Sequence, residues 1–381
     1  SLYVYLFELN LRNLLYVIAF IEMPVKEHRC PHCGNSTTYI KDYRLQTVRD
    51  LVVLGKPLIV TIRKRRYICK NCNTTFTEEN PYIKRYCHFP DRLYLESIKE
   101  TFCLQSFSSI SKRFGVSVTS IIRWFDNLNY PHPKLPECIA IDELRGNAGG
   151  EKFQCNIADP VKHQVIDILP SRNTENLCKH FLEYPYKERA AVKKIVMDLS
   201  TLFRSVAKTM FPKAKIVADK FHVIRAVINS LENVRKRIQK EFHATKRKWF
   251  KRSRYLLLKP EYKLTDEDKT ELARMLNSSY DLEKAYVLKE RFYEVFRKQT
   301  RTEAKKELGK WLLLAADLSL PEFRHCITTF SNCKTEIANI IGERVSNGFI
   351  EGSNNKIKVL KRISYGVQNF DRFRNRILYL Q

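Results

Sequence analysis

The stretch Cys138–Gly146, CIAIDELRG, decides the fold of this chain, because a short apolar run ends there in a carboxylate, Asp142. Two later runs have the same form: KKIVMD ends in Asp198 and AKIVAD ends in Asp219. Short apolar runs are typical of buried β-strands, and open α/β sheets carry their chemistry where such strands end. Converging carboxylates repel each other unless a cation lies between them. The pattern therefore predicts a site for divalent ions of the Mg²⁺ type, which prefer oxygen ligands.

The charge of the chain indicates a polyanionic partner. Its 381 residues include 68 Lys+Arg against 41 Asp+Glu, a net charge of +27, which is typical of nucleic-acid binding. A ribosome-associated or merely solvated basic protein is the alternative. Hydrophobic residues make up 44% of the chain, which excludes wholesale disorder. Since two metal ions can stabilise an in-line phosphoryl displacement, we expect a metal-dependent enzyme that acts on phosphodiesters.

The order of the segments around Asp142 indicates the fold class. Two more strand-like runs, KFQCNIAD and HQVIDILP, follow it, and the later strands alternate with helical patterns. Three hairpin-type strands followed by alternating strands and helices predict an RNase H-like α/β fold. Residues 243–340 have a helical pattern that interrupts this domain. The sequence thus predicts a multidomain α+β protein with a catalytic core over 138–242 and 341–381.

Two CxxC pairs, CPHCG and CKNC, predict a zinc ribbon over residues 1–88, with a leading strand. Each pair folds into a tight turn that directs two thiolates at one point, and two turns complete a tetrahedron. A redox pair is the alternative, and Cys87 and His88 lie near enough to be reserve ligands. The expected ligands of one structural Zn²⁺ are Cys30, Cys33, Cys69 and Cys72.

Residues 89–130 are predicted to contain a helix-turn-helix. The stretch SFSSISKRFGVSVTSIIRWFDN has two apolar helix faces, with Gly115 at the turn between them. The second helix would direct Thr119, Ser120 and Arg123 to a DNA groove, although any two-helix packing unit would show a similar pattern. A stiff linker with three prolines is expected over 131–137.

The insertion contains a basic stretch, HATKRKWFKRSRY, in which cations flank aromatic rings. Such a composition suits a nucleic-acid backbone and unpaired bases. A solvated helix face with a buried Trp is the alternative. The residues predicted to contact DNA here are Lys246, Arg247, Lys248, Trp249, Lys251 and Arg252.

The apolar run from Leu14 to Ile21 is much shorter than the ~20 residues needed to span a bilayer. No small-residue cleavage site follows it, which argues against a signal peptide. The paired cysteines are typical of a zinc site in a reducing compartment. We therefore expect a soluble, cytoplasmic protein with no membrane association.

Six segments together resemble the ISL-three group of bacterial insertion-sequence transposases over nearly the whole chain. They are the zinc ribbon, the helix-turn-helix, AIDE, VMDLS, ADKFHV and NGFIEGSNNKIKVLKRISYG. The resemblance implies an RNase H-fold enzyme with a helical insertion before its last acidic residue. It also implies a DDE triad of Asp142, Asp198 and Glu351 that binds two Mg²⁺ (or Mn²⁺) ions. Asp219 and His222 form an accompanying DxxH motif in the same comparison.

Each triad position has a rival that the apolar pattern alone leaves open. Glu143 is adjacent to Asp142, Asp219 also ends a strand, and Glu343 precedes Glu351. The resemblance favours the triad given above, and it leaves His222 with either a structural role or a role near the scissile phosphate. Residues after Glu351 are expected to contact DNA, with a solvated helix face as the alternative: Asn354, Asn355, Lys356, Lys358, Lys361 and Arg362.

The function that the resemblance implies is DNA transposition. The enzyme would bind the inverted-repeat ends of an insertion sequence, cleave them by metal-assisted hydrolysis and join the 3′-OH ends to target DNA. Its partner would be double-stranded DNA in the bacterial cytoplasm, associated with the nucleoid, bound as a homodimer or higher oligomer. A catalytically silent DNA-binding regulator and a nuclease without joining activity are the alternatives.

Overall fold

The structure, a computed structural model, describes residues 3–11, 14–80, 82–84, 87–130, 132–146, 150–343, 345 and 347–380. The chain forms two compact units, residues 1–131 with 356–381 and residues 132–355. The ribbon and the helix-turn-helix segments therefore lie in one unit. Of the expected linker, Pro131 lies outside the described residues, and the rest belongs to the second unit.

The first unit is built on a five-stranded sheet. Its strands are β1 (Tyr3–Leu11), β2 (Leu14–Glu22), β3 (His28–Arg29), β4 (Ser36–Thr37), β5 (Ile40–Val53), β6 (Lys56–Ile68) and β7 (Thr75–Thr77). The large sheet has the order β1-β2-β6-β5, with β7 added to β6, while β3 and β4 form a small hairpin. β5 and β6 form the predicted hairpin, turning at Leu54 and Gly55 with positive φ. The leading apolar strand, β2, pairs in parallel with β6.

Three short helices follow the sheet: α1 (Asp91–Thr101), α2 (Phe107–Phe114) and α3 (Val118–Asp126). Gly115 ends α2 at φ +65°, a conformation that glycine adopts without strain. The Ser117 hydroxyl then caps α3 by accepting the Ser120 amide. Buried Leu93 and Ile110 pack with Ile121 in the core of these helices. The structure thus has the predicted helix-turn-helix.

The second unit contains a five-stranded mixed sheet. Its strands are β8 (Cys138–Arg145), β9 (Phe153–Asp159), β10 (Gln164–Leu169), β11 (Lys194–Met197) and β12 (Lys215–Ala218). The order is β10-β9-β8-β11-β12. The first three strands are antiparallel, while β11 pairs in parallel with both β8 and β12. This arrangement confirms the RNase H-like prediction.

Four helices accompany this sheet: α4 (Thr174–Leu182), α5 (Tyr186–Ala191), α6 (Thr201–Met210) and α7 (Lys220–Gln239). On one sheet face, Ile139 and Ile141 pack with Phe181 of α4 and Phe203 of α6. The sequence did not predict α5, because this single turn and a half after Pro185 buries no residue and so has no apolar pattern.

The regular elements that the structure describes in the predicted insertion are helices. They are α8 (Ala244–Arg252), α9 (Arg254–Leu258), α10 (Asp266–Leu276), α11 (Tyr280–Tyr293), α12 (Arg301–Asp317), α13 (Arg324–Asn332) and α14 (Lys334–Ala338). In its core, Phe292 stacks on Phe330 and meets Trp311 edge-on, and the Trp311 indole donates to the Leu288 carbonyl at 2.8 Å. Val227 of α7 belongs to the same core, which joins the insertion to the sheet domain.

Within the described ranges, no helix combines the length and the apolar character needed to cross a membrane.

The last two helices, α15 (Gly348–Ile363) and α16 (Phe370–Tyr379), do not belong to one unit. The boundary falls within α15, after Asn355. α16 packs in the first unit, where the nearly fully buried Arg376 donates to the carbonyls of Cys103 and Gln105. The expectation that 341–381 completes the catalytic core stays a prediction. In the structure, Arg376 of this segment finds its acceptors beside the helix-turn-helix, a contact that the sequence pattern does not reveal.

Glu343 fixes the starting edge of the parallel strands. Its carboxylate accepts from Lys194 at 2.7 Å and Lys215 at 2.8 Å, the first residues of β11 and β12, and Arg301 of α12 adds a third pair at 3.0 Å. The Glu343 side chain is only 6% exposed. Burial opposes its ionisation, but the hydrogen bonds from the two lysines prevail and lower its pKa. Glu343 is thus a structural carboxylate.

We predict that Glu343→Gln lowers the free energy of unfolding of the second unit by about 1–3 kcal/mol at neutral pH, because charge-assisted hydrogen bonds are lost. Because the pKa of Glu343 is lower in the folded than in the unfolded state, the ionised carboxylate stabilises the fold at neutral pH. This stabilisation is lost as the pH falls through the folded-state pKa. The difference in the free energy of unfolding between Glu343→Gln and wild type should therefore shrink below about pH 4. Thermal unfolding at both pH values measures it, with the exposed Glu351→Gln as control. Equal losses in both variants would contradict the assignment.

Candidate active site

The strand register places three aspartates in one row across the sheet. Met197 is the last paired residue of β11, and it lies opposite Ile141 of β8 and Ala218 of β12. Parallel strands in register bring their following residues to the same edge. Those following residues are Asp142, Asp198 and Asp219.

Strand alternation distinguishes Asp142 from Glu143. Ile141 faces the core formed with α4 and α6, whereas Ala140 packs against Ile350 of α15 on the opposite face. Because successive side chains alternate, Asp142 lies on the α15 face with Ala140. Glu143 lies on the other face and pairs with Arg172. The structure thus places Asp142 on the same face as α15.

Asn354 of α15 holds the Asp142 carboxylate. Its Nδ2 donates to Asp142 Oδ2 at 2.9 Å, and its Oδ1 accepts from Asn156 Nδ2 of β9 at 2.8 Å. Asn354 is only 6% exposed. The sequence expectation of a DNA contact at Asn354 is therefore corrected, because a buried amide with both ends bonded within the protein positions Asp142 instead. Asn156 was missed entirely, since a lone asparagine in a strand gives no signal.

Asp142 and Asp198 resist ionisation together. Burial raises the pKa of Asp142 to about 6, and the nearby charge of Asp198 acts in the same direction. Burial also raises the pKa of Asp198, whose Oδ1 accepts the Ser200 amide at 3.0 Å. Two half-buried carboxylates in this state gain from a cation between them. This donor chemistry fits a divalent metal ion with oxygen ligands.

Asp219 is engaged differently from Asp198. It is 3% exposed and caps α7, and its Oδ2 lies 2.5 Å from Nδ1 of His222. That hydrogen bond is the main reason that the pKa of His222 is raised, and the charges of Asp142 and Asp198 add to it. Asp219 therefore orients the His222 imidazole and, together with the other two aspartates, favours its protonated form.

Glu351 lies on the exposed surface of the first turn of α15. It precedes Asn354 by three residues, so both occupy neighbouring positions on the helix surface. All three candidates are among the described residues, but Asp142, Asp198 and Glu351 do not bring their ligand oxygens within 4.8 Å of one another.

A cleft of about 540 Å³ opens beside Asp198 and His222. Its opposite wall comes from α13 of the insertion, through His325, Thr328 and Thr329. The insertion therefore supplies polar groups next to the carboxylates. The sequence did not indicate this role, because these residues follow no recognisable spacing.

The four predicted zinc ligands lie together in the first unit. The Sγ atoms of Cys30 and Cys72 are 3.6 Å apart, those of Cys33 and Cys69 are 3.5 Å apart, and all four lie within 4.8 Å. A tetrahedral site with Zn–S bonds near ~2.3 Å has edges of about 3.8 Å. A hydrogen bond with Thr74 lowers the pKa of Cys72 to about 5, whereas desolvation and the hydrogen bonds with Cys33 and Cys72 raise that of Cys69 to about 11. The reserve candidate Cys87 packs against the sheet core instead.

Of the predicted DNA contacts of α3, Thr119 and Ser120 lie in its first turn and Arg123 lies in its last turn. Thr119 and Arg123 are exposed. The hydroxyls of Thr119 and Ser120 lie 3.0 and 2.7 Å from the Ser117 hydroxyl, so both also support the helix cap. Arg123 is thus the residue of this set whose side chain is most available for DNA.

The basic stretch in α8 combines packing and exposed charge. The half-buried Trp249 donates to Glu271 at 2.5 Å and packs on the insertion core, and Lys246 lies over the Phe242 ring. This favours the packing alternative for Trp249 over base stacking. Among the remaining predicted DNA contacts in α8 and α15, Lys361 is half-buried. The others are exposed: Arg247, Lys248, Lys251, Arg252, Asn355, Lys356, Lys358 and Arg362.

Comparison with known proteins connects both sites to one family. Residues 139–377 match a family profile described as a transposase of the DDE, ISL-three type, and residues 26–72 match the zinc finger of the transposases of IS204, IS1001, IS1096 and IS1165. The transposase for insertion sequence IS1001 of Bordetella parapertussis is 23% identical over 93% of this chain and 89% of its own length. The transposase for IS1557 of Mycobacterium tuberculosis is 27% identical over 61% of this chain and 57% of its own length.

We predict that Asn354→Ala weakens Mn²⁺ binding about 10–100-fold, as expected when a residue that orients a metal ligand is removed. Electron paramagnetic resonance titration of free Mn²⁺ measures this. The neighbouring exposed Asn355→Ala is the matched control and should bind as wild type does. Unchanged Mn²⁺ affinity in a folded Asn354→Ala protein would show that Asp142 does not depend on this contact.

Proposed function

The chain belongs to the ISL-three family of DDE transposases, and on this premise we propose that it cleaves the inverted-repeat ends of an insertion sequence and joins their 3′-OH groups to target DNA. The observation that carries the proposal is the pairing of Asp142 and Asp198 at one sheet edge beneath α15. Their raised pKa values and the adjacent cleft, which Asp198 and His222 line, support a centre that would bind cations and a phosphodiester.

Asp142, Asp198 and Glu351 would hold the Mg²⁺ or Mn²⁺ ions. When bound, two such ions supply the activation of the attacking water or 3′-OH and neutralise charge on the phosphate. The hydrogen bond from Asn354 would keep the Asp142 carboxylate oriented for binding these ions. The contact with Asp219 orients His222 and raises its pKa, and Asp142 and Asp198 act on that pKa in the same direction. We assign His222 to stabilising these carboxylates and the incoming phosphate.

DNA recognition rests on the basic surfaces of both units. In the first unit, Arg123 of α3 is exposed for base or phosphate contact, and the ribbon would contribute to reading the element end. In the second unit, the exposed cations of α8 suit the DNA backbone. Because an insertion sequence has two ends, we propose a homodimer or higher oligomer on DNA. We place its action in the bacterial cytoplasm, on nucleoid DNA.

A strand-transfer assay with the element's own ends tests the joining step. We expect wild type to give both cleaved ends and joined products with Mg²⁺, and Asp142→Asn to give neither. Cleavage without joining would instead identify a nuclease. Binding without either product would identify a silent regulator, against which the intact carboxylate row argues.

We predict that Asp198→Asn abolishes cleavage at every Mg²⁺ concentration, whereas Asp219→Asn leaves cleavage reduced about 10–100-fold. The reason is that Asp198 is assigned to hold an ion directly, while Asp219 acts through His222. Removing one strong electrostatic contact at such a centre costs about 10²–10³-fold, and loss of a metal ligand should exceed this. Cleavage by Asp219→Asn should recover with added Mg²⁺ or Mn²⁺. The reverse ranking would move the triad to Asp142, Asp219 and Glu351.

We predict that binding to end DNA is steeply salt-dependent and survives loss of a triad carboxylate. Each phosphate contact contributes about 0.9 units of slope to the dependence of log affinity on log salt. Asp142→Ala should bind as tightly as wild type, or slightly more tightly, because a negative charge is removed. Arg123→Ala should bind more weakly. Fluorescence anisotropy across a salt series measures both, and a collapse of binding by Asp142→Ala would show that the carboxylate positions the DNA.

A further inference from the structure

We propose that His132, His180 and Glu183 form a second zinc site, separate from the ribbon and the carboxylate row. One ligand atom from each residue lies within 4.8 Å of the others. His132 Nε2 is 3.1 Å from Glu183 Oε2. The three residues come from two segments of the second unit, so only the folded domain brings them together.

The surroundings of His180 are those of a metal-binding imidazole. Its side chain is 8% exposed, and its Nδ1 lies 3.7 Å from Oδ2 of Asp167, which is itself 4% exposed. Asp167 is held in turn, since its Oδ1 accepts the Ile168 amide at 2.7 Å. Metal-bound histidines almost always direct their second ring nitrogen at a carboxylate or carbonyl, which fixes the ring and its tautomer. Asp167 is the carboxylate next to Nδ1 of His180.

The ligand set indicates zinc rather than magnesium. Two imidazoles and one carboxylate are a known zinc combination with water in the fourth position, whereas Mg²⁺ prefers oxygen ligands alone. His180 and Glu183 are three residues apart at the end of α4, which places them side by side. His132 and Glu183 are about half exposed, so an ion can reach the site from solvent. The buried His180 would bind it from the protein side.

The bound ion would fix the beginning of the second unit to α4. His132 lies in the proline-rich stretch, where the Leu135 amide already donates to Glu188 of α5 at 2.6 Å. The alternative is a metal-free cluster, because the His132 ring also meets Tyr184 edge-on at 4.7 Å and stacks near His180 at 5.8 Å. A metal-free cluster predicts no dependence on zinc.

Metal analysis of the full-length protein distinguishes these two cases. The protein is loaded with ZnCl₂, freed of excess ion and measured by inductively coupled plasma mass spectrometry. We expect His132→Ala and Glu183→Gln each to hold about one zinc fewer per chain than wild type. Glu183→Gln keeps the size of the side chain and its hydrogen bond to His132. The exposed His243→Ala, a histidine outside the cluster, is the matched control and should hold as much zinc as wild type.

Substitution with Co²⁺ gives a second readout that separates this site from the ribbon. The ribbon should show thiolate-to-cobalt charge transfer in every variant, because its four sulfurs are untouched. Wild type and His243→Ala should add weaker visible bands from nitrogen and oxygen ligands, which His132→Ala and Glu183→Gln lose. Equal zinc content and identical cobalt spectra in all four proteins would overturn the proposal. Neither readout depends on transposition, so the result is independent of the catalytic assignment.

Discussion

The parallel pairing of β11 between β8 and β12 is the constraint on which the row of aspartates depends. A shift of one residue in this register would turn the side chain of Asp198 to the opposite sheet face, because strand side chains alternate. Glu343 opposes such a shift from the other end, where it binds the first residues of β11 and β12 simultaneously. An ion-pair cluster at the starting edge of the sheet thus preserves the alignment of the carboxylates at its far edge.

Small side chains on the sheet allow α15 to approach closely enough to complete the site. Ala140 and Ala158 are paired across β8 and β9, and Ile350 packs on both. Larger side chains at these two positions would lift the helix from the sheet, since protein interiors are tightly packed. The hydrogen bond between Asn354 and Asp142 requires this close approach. Packing between apolar residues therefore sets the geometry of the charged ones.

The sequence predicted features that depend on local spacing, and it missed those that depend on distant contacts. The CxxC pairs and the strand-end aspartates are short patterns whose geometry follows from the backbone. The choice between Asp142 and Glu143 was not accessible from the pattern, because all four preceding residues are buried and show no alternation. The positioning role of Asn354, the packing of Trp249 on Glu271 and the docking of α16 each depend on a partner outside their own segment.

The contact between Asn354 and Asp142 joins residues 212 positions apart, and this separation orders events during synthesis of the chain. The sheet strand with Asp142 leaves the ribosome long before α15 exists. At a translation rate of about 5–20 residues per second, the interval is about 10–40 s. Throughout that time the nascent polypeptide can already fold its helix-turn-helix, while the carboxylate still lacks the amide that orients it. The aspartate row therefore gains its orienting amide late in translation, after the helix-turn-helix has emerged.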